Sequence, residues 1–195
     1  CESLHSLFIP NSLTAIEYKS FECCWSLRNV IISNSVKTIG ESAFSSCSSL
    51  ERVILPDSLE SIGKSAFSDC NNLTSITIPN SVKSIGNESF YRCRNLTKVK
   101  LSEQLRTIGE YTFYQCNKLQ SIIIPNSVTE LERGCFDNSG LVDIKLSDSL
   151  ITINQSAFGS CIYLKNITIP SSVTTIGRGA FGGCQSIETI NIPNS

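Results

Sequence analysis

Residues 70–92 read CNNLTSITIPNSVKSIGNESFYR. The chain repeats the pattern of this segment from end to end, so the segment indicates the fold of the whole chain. The repeat is 23 residues long and reads C-x-x-L-x-x-I-x-I-P-x-S-V-x-x-I-G-x-x-A-F-x-x. Phenylalanine returns at the same place in each unit, at Phe21, Phe44, Phe67, Phe90, Phe113, Phe136, Phe158 and Phe181. Self-similarity at a fixed period of about 20–50 residues is the signature of a repeat architecture.

Each unit divides into three pieces. The L-x-x-I-x-I piece ends in period-two alternation, which predicts a short strand that the following proline ends. The V-x-x-I-G piece predicts a crossover and a turn, with glycine supplying positive φ. The last piece, such as residues 41–47, predicts about one helical turn that only packing can hold. The predicted strands are residues 5–9, 28–32, 51–55, 74–78, 97–101, 120–124, 142–146, 165–169 and 188–192.

One unit cannot bury its own apolar columns, whereas units stacked in register bury them against each other and form a solenoid. The sequence therefore predicts a single leucine-rich solenoid domain over residues 1–195, with about eight and a half 23-residue repeats. Each repeat is expected to supply one short parallel β-strand, a crossover and a short helical turn. The chain contains no Met and neither end has a polar capping unit, so we expect it to be a piece of a longer protein.

Composition narrows the classes of partner. The chain has 16 basic and 17 acidic residues and a net charge of -1, which excludes a basic nucleic-acid binder. Hydrophobic residues make up 41% and charged residues 17%, which argues against intrinsic disorder. The longest apolar runs, such as residues 122–124, are far too short to cross a bilayer, so we expect no direct membrane insertion of this segment.

The sequence contains few residues or motifs that indicate an enzyme. His5 is the only histidine, so a Ser–His or Cys–His nucleophile pair could form only there. No phosphate-binding glycine motif and no H-E-x-x-H motif occurs. Carboxylates are scattered at one or two per unit and are not paired. The prediction is a non-enzymatic protein with no catalytic residue, no cofactor and no metal site.

Ten cysteines are present, and most of them share one column, at Cys1, Cys24, Cys47, Cys70, Cys93, Cys116, Cys161 and Cys184. Stacked cysteines form a line, whereas a metal ion needs pairs that converge on one point. Disulfides between neighbours are the alternative, because stacked residues lie about 5 Å apart. Side chains in a parallel ladder point the same way, so we favour buried, reduced thiols that act as small hydrophobes. Cys23 and Cys135 lie off the column and are expected to be exposed and reactive.

One unit departs from the pattern. A residue is missing between Phe136 and Leu141, and Ser139 or Gly140 falls where a cysteine is expected. The same unit has Glu132 in place of glycine and Cys135 in place of alanine. We interpret this as drift at a tolerant loop, and the alternative is a kink or a partner contact.

Strings such as IPNSVKSIG at residues 78–86 and SAFSSC at residues 42–47 resemble the BspA-like (Treponema pallidum-type) class of leucine-rich repeat proteins, and the resemblance covers the whole chain. It implies a bacterial or protozoan surface protein that adheres to host or matrix proteins. The expected function is protein recognition or adhesion at the cell surface or in secreted form. The alternative is an intracellular structural scaffold, cytoplasmic or cytoskeletal, packed into a larger assembly, and free buried thiols would favour that reducing location.

The candidate binding face is the outward side of the strands. Phe8, Ile31 and Ile54 would form an exposed apolar stripe, which marks a binding surface, although β-propensity alone also favours isoleucine in strands. The expected partner is a protein, from a host, a matrix or an assembly, with an apolar patch rimmed by acidic residues. The opposite face carries small residues such as Ser45, Ser68 and Gly182, which offer little contact area. The predicted partner-binding residues are Phe8, Ile31, Arg52, Ile54, Lys98, Lys100, Ile123 and Lys145.

Overall fold

The structure is a computed structural model that describes residue 1 and residues 3–192. These residues form a parallel β-solenoid of about eight turns, each with three walls: a strand of three or four residues, a strand of two residues and a run of tight turns. In chain order the strands are β1 Ser6–Ile9, β2 Ala15–Ile16, β3 Asn29–Ile32, β4 Thr38–Ile39, β5 Arg52–Ile54, β6 Ser61–Ile62, β7 Ser75–Thr77, β8 Ser84–Ile85, β9 Lys98–Lys100, β10 Thr107–Ile108, β11 Ser121–Ile123, β12 Glu130–Leu131, β13 Asp143–Lys145, β14 Thr152–Ile153, β15 Asn166–Thr168, β16 Thr175–Ile176 and β17 Thr189–Asn191.

The odd-numbered strands form the first wall and confirm the predicted parallel strands. They pair in register one repeat apart, so that Val30 of β3 lies between Leu7 of β1 and Val53 of β5. The hydrogen-bonded groups are β1-β3-β5, β7-β9, β11-β13 and β15-β17, and the strands on either side of each break remain neighbours. The strands are one or two residues shorter than predicted, although residues beside them, such as Ile78 and Ile124, still donate a backbone hydrogen bond to the next repeat.

The even-numbered strands form a second wall, in the segment where the sequence predicts a crossover and a turn but does not predict a strand. Ile39 of β4 pairs with Ile62 of β6 in a parallel ladder, and the Gly40 N–H donates to the Ile16 carbonyl at 2.7 Å. The ladder runs through β2-β4-β6-β8 and then β10-β12-β14-β16. Two residues per repeat are too few to display period-two alternation, so the sequence pattern does not reveal these strands.

Glycines that follow the second wall allow close packing of successive turns. The prediction that Gly63 and its equivalents supply positive φ is wrong, since the described glycines with positive φ are Gly134, Gly179 and Gly183. A Cβ atom on Gly63 would lie 2.6 Å from the backbone nitrogen of Glu41 in the preceding repeat. Glycine is therefore needed here for its missing side chain and not for its backbone freedom.

The third wall is a run of tight turns, and the predicted helical turn is wrong: the described residues contain no helix. Each run holds two left-handed residues four positions apart, such as Ser42 with φ 54° and Ser46 with φ 59°. As a result, alternate backbone N–H groups of the run point along the solenoid towards the next repeat. The Phe44 N–H, for example, donates to the Ala66 carbonyl of the next repeat at 2.8 Å. Seven residues are too few for a stable helix, so pairing with the neighbouring repeat satisfies these groups instead.

The core is layered, with like residues stacked on like. Phenylalanine rings from the third wall stack at centroid distances of 5.3–5.7 Å and within 10° of parallel. Phe90 is completely buried and lies 5.6 Å from both Phe67 and Phe113. The predicted burial of Phe90 between its neighbours is confirmed, and of the column only Phe21 and Phe181, at the two ends, are partly buried.

The thiols of the cysteine column make the same hydrogen bond in successive repeats. The Cys93 thiol donates to the carbonyl oxygen of Phe67 at 3.1 Å, and the equivalent contact recurs in the neighbouring repeats. All ten cysteines are free, and Cys47, Cys70, Cys93 and Cys116 are buried, as expected. Burial raises the pKa of the Cys47 thiol to about 12. Burial also raises the pKa of the Cys70, Cys93 and Cys116 thiols, so these thiols are protonated donors inside the core, which suppresses their reactivity as nucleophiles.

The short repeat keeps the register of the stack. Ile122 of β11 still pairs with Ile144 of β13, and Ser139 takes the place of the missing cysteine, with its Oγ atom 3.3 Å from Cys161 Sγ. The ladder continues through this repeat, which argues against a kink. The prediction that Cys135 is exposed is wrong: it is completely buried because it occupies the inward position of the alanine in other repeats.

Candidate protein-binding surface

The strand register of the first wall builds a row of exposed apolar side chains. Phe8 of β1 pairs with Ile31 of β3, which pairs with Ile54 of β5. Their neighbours along each strand point inward, so Val30 and Val53 are buried while Phe8, Ile31 and Ile54 are 64%, 45% and 39% exposed. We call Phe8, Ile31 and Ile54 the apolar stripe. Their stacking in solvent is what the sequence pattern predicts.

Basic residues lie farther along the same wall. Lys98 and Lys100 point outward from β9, and Lys145 of β13 pairs with the exposed Ile123 of β11. Thr77 of β7 lies between Ile54 and Lys100 in the same outward column. The structure therefore divides the predicted site residues into the apolar stripe and a separate basic segment.

Arg52 lies beside the apolar stripe, on the neighbouring outward column of β5. It lines a shallow depression together with Ile54, Thr77 and Asp57. A similar depression of about 340 Å³ lies between Lys98, Lys100 and Ile123, with Glu103 at its edge. Acidic residues from the loops after the strands thus border the basic side chains, so the wall is mixed in charge and not uniformly basic.

The turn wall carries a second exposed feature, which the sequence-based expectation of a small-residue face does not include. Serine or glycine does follow the column phenylalanine in four repeats, at Ser45, Ser68, Gly159 and Gly182. Tyr91 and Tyr114 stand at the same place in two other repeats, and Tyr111 lies beside them. The Tyr91 and Tyr114 rings stack at 4.9 Å. The 23-residue spacing of these two tyrosines in the sequence is the signal that could have revealed the cluster.

Residues typical of catalytic or metal sites are sparse. His5 is exposed, and its Nδ1 atom lies 2.8 Å from the Ser3 carbonyl oxygen. Within residues 1 and 3–192, no group of three His, Cys, Asp or Glu residues is arranged to hold a metal ion. The same part of the chain contains no helix long and apolar enough to span a membrane.

Comparison with known proteins places the chain in a family. The family model described as "BspA type Leucine rich repeat region" matches residues 1–97 and 83–195 in six copies. No protein among the curated sequences matches. The crystal structure of a Treponema pallidum leucine-rich repeat protein is 28% identical over 94% of this chain and 78% of that chain, with a TM-score of 0.68.

Two further crystal structures share the fold. A leucine-rich repeat protein from Eubacterium ventriosum is 20% identical over 95% of this chain and 59% of that chain, with a TM-score of 0.58. The pneumococcal vaccine antigen PcpA is 23% identical over 97% of this chain and 62% of that chain, with a TM-score of 0.51. Together with the match of the family model along the whole chain, the solenoid shows that this protein belongs to the BspA-type leucine-rich repeat family.

Proposed function

We propose that the chain is a non-enzymatic recognition or adhesion module that binds a protein partner through the first wall. The observation that carries the proposal is the register of β1, β3 and β5, which stacks three large apolar side chains in solvent. Folding does not require apolar residues at this place, because Thr77 and Thr168 occupy the same outward column in other repeats. An exposed apolar row of this kind is typical of interaction sites.

The partner that we propose is a host, matrix or assembly protein with an apolar patch rimmed by acidic residues. The ladder holds the outward side chains at fixed spacing, so binding orders few groups and loses little conformational entropy. Arg52, Lys98 and Lys100 would attract the acidic rim, and this steering makes the association rate sensitive to salt. The apolar stripe would supply most of the affinity, as buried apolar anchors do in other interfaces.

Paired substitutions test the proposal. The Ile31→Asp and Ile54→Asp double variant places two charges on the apolar stripe without touching the core. A matched control is Ile151→Asp with Ile162→Asp, since these isoleucines are 46% and 37% exposed but lie outside the first wall. A partner protein is captured from host-matrix extracts. Its affinity for the wild type, the stripe variant and the control variant is then measured by surface plasmon resonance. We expect the stripe variant to bind at least about tenfold more weakly and the control to bind like wild type.

The opposite result would contradict the assignment of the face. If the stripe variant keeps its affinity while the control or a change on the turn wall abolishes binding, the first wall is not the binding surface. Circular dichroism of both double variants checks that each still folds, since all four isoleucines are outside the buried core.

The location that we propose is the cell surface or the secreted fraction, as the family resemblance implies. The ten free cysteines argue in the other direction, because free buried thiols favour a reducing compartment. An intracellular scaffold, cytoplasmic or cytoskeletal, is the alternative. Antibody staining of intact against permeabilised cells separates the two, because only a displayed protein stains without permeabilisation.

A further inference from the structure

Three tyrosines form a concave corner on the turn wall, away from the first wall. Tyr91 and Tyr114 are stacked, with ring centroids 4.9 Å apart and planes within 10°. Tyr111 meets Tyr114 almost at a right angle, 87° between the planes, at 5.7 Å. All three are half-buried, so part of each ring faces solvent. We call Tyr91, Tyr111 and Tyr114 the tyrosine corner.

The tyrosine corner borders a recess that two carboxylates also line. The recess has a volume of about 550 Å³ and is lined by the tyrosine corner together with Glu88 and Asp137. Glu88 accepts a hydrogen bond from Ser65 Oγ at 3.0 Å and lies 4.0 Å from Lys64 Nζ. Among the described residues, Asp137 makes no ion pair, and partial burial raises its pKa. Asp137 is therefore a carboxylate that lacks a partner of opposite charge.

The next repeat makes room for the tyrosine corner. Tyr111 has a φ of 53°, which is uncommon for a bulky residue, and its ring lies over Gly134. A Cβ atom at Gly134 would approach the Tyr111 ring to 2.4 Å. Other repeats have serine at this place, such as Ser42 and Ser65. Gly134 of the short repeat thus leaves space for the Tyr111 ring, which the fold itself does not need.

Aromatic faces and carboxylates share one binding preference. The face of a tyrosine ring carries partial negative charge and attracts cations, most strongly where several rings meet. The protein already shows this preference, because the Arg92 guanidinium lies 5.0 Å from the Tyr91 ring and the Arg133 guanidinium 5.7 Å from the Tyr111 ring. Each arginine lies over one ring, and neither is among the residues that line the recess.

We infer that this recess is a second binding site, which takes the cationic end of a lysine or arginine side chain from a partner protein. The cation would contact the parts of the three rings that line the recess, and Asp137 would supply the missing opposite charge. A neutral or acidic side chain would gain neither contact. The site lies on a different wall from the apolar stripe and does not depend on it.

Nuclear magnetic resonance of the labelled chain tests the inference directly. The probes are blocked lysine, blocked arginine, blocked glutamine as a neutral analogue of similar size, and a neutral disaccharide, each added at constant ionic strength. We expect saturable shifts of the tyrosine-corner ring signals with blocked lysine, blocked arginine or both, and no saturable shift with the neutral probes. The cation that binds more tightly identifies the preferred side chain.

Two variants and two controls connect the shifts to the recess. Asp137→Asn keeps the shape and removes the charge, and Tyr114→Leu removes the ring that both other tyrosines contact. Each should weaken cation binding by roughly 2- to 30-fold. Tyr163→Leu changes an exposed tyrosine elsewhere and should have no effect, and the Ile31→Asp and Ile54→Asp variant should also bind the cations normally.

Four results would overturn the inference. The first is a linear, non-saturable response to the cations, and the second is equal binding of blocked glutamine. The third is unchanged cation binding in both recess variants while their amide spectra show a native fold. The fourth is saturable shifts with the disaccharide alone, which would assign the recess to carbohydrate instead of a basic side chain.

Discussion

Replacement of Phe90 with alanine removes a ring from the centre of the layered core. Phe90 is completely buried, and its ring lies 5.6 Å from Phe67 on one side and from Phe113 on the other. Backbone pairing on three walls holds the adjacent repeats apart, so the cavity cannot readily collapse. We expect a loss of about 3–5 kcal/mol in the free energy of unfolding. At about 2–4 °C per kcal/mol for a chain of this length, the melting midpoint should fall by about 6–20 °C.

The control makes the same chemical change on the surface. Phe8 is 64% exposed, so Phe8→Ala should change the free energy of unfolding by less than about 1 kcal/mol. Thermal melts followed by circular dichroism compare the two variants with wild type. Part of the Phe90→Ala loss can appear as local opening of a repeat array, and hydrogen exchange across residues 67–113 detects that part. Equal stability of the Phe90 and Phe8 variants by both methods would refute the layered core.

Two further predictions concern the thiols. Labelling of the native protein, read by mass spectrometry, should reach the exposed Cys1 and the half-buried Cys23 well before Cys47, Cys93 and Cys116, and a bridge between neighbouring column cysteines would overturn this. Stability should also fall in alkali: burial raises the folded-state pKa of Cys47 to about 12, above the usual value of about 8.5. The raised pKa of each such thiol therefore contributes fully to the free energy of unfolding below about pH 8.5. This contribution is lost as the pH rises towards 12, by about 1.4 kcal/mol per pH unit for each thiol. A urea midpoint that stays constant between pH 8 and pH 10 would contradict it.

The first wall and the core columns could be predicted because the repeat places the same residue type at the same place in every turn. Phe90 is buried for the same reason as Phe67, and the outward position of Ile31 follows from the inward position of Val30. Stacking then converts a one-dimensional period into a three-dimensional ladder. The apolar stripe, Arg52 and the lysines were predictable on the same grounds, since alternation fixes which strand residues face solvent.

The second and third walls could not be predicted because their signals are too short. Two paired residues, such as Thr38 and Ile39, show no alternation. The spacing of three between Phe44 and Cys47 fits a helical turn, and only the left-handed backbone at Ser42 and Ser46 distinguishes the actual turns. Serine at those places gives no sequence signal for positive φ, which is more typical of glycine and asparagine.

The tyrosine corner was missed for a different reason. The repeat pattern describes what all units share, and the corner consists of residues in which two units differ from the rest. Tyr91 and Tyr114 replace the serine of earlier repeats, and Gly134 replaces the residue that would contact Tyr111. In a repeat protein the shared residues specify the stack, so residues that differ between repeats are where sites should be sought.

Side-chain footprinting of the chain with its bound partner tests whether the first wall is the binding surface. Hydroxyl radicals oxidise exposed aromatic and aliphatic side chains, and a bound protein protects those that it covers. We expect protection of Phe8, Ile31 and Ile54, with no protection of Trp25 and Tyr163, which are 51% and 56% exposed outside the first wall. Unchanged oxidation of Phe8, Ile31 and Ile54 in a saturated complex, with protection at Trp25 or Tyr163, would contradict this expectation.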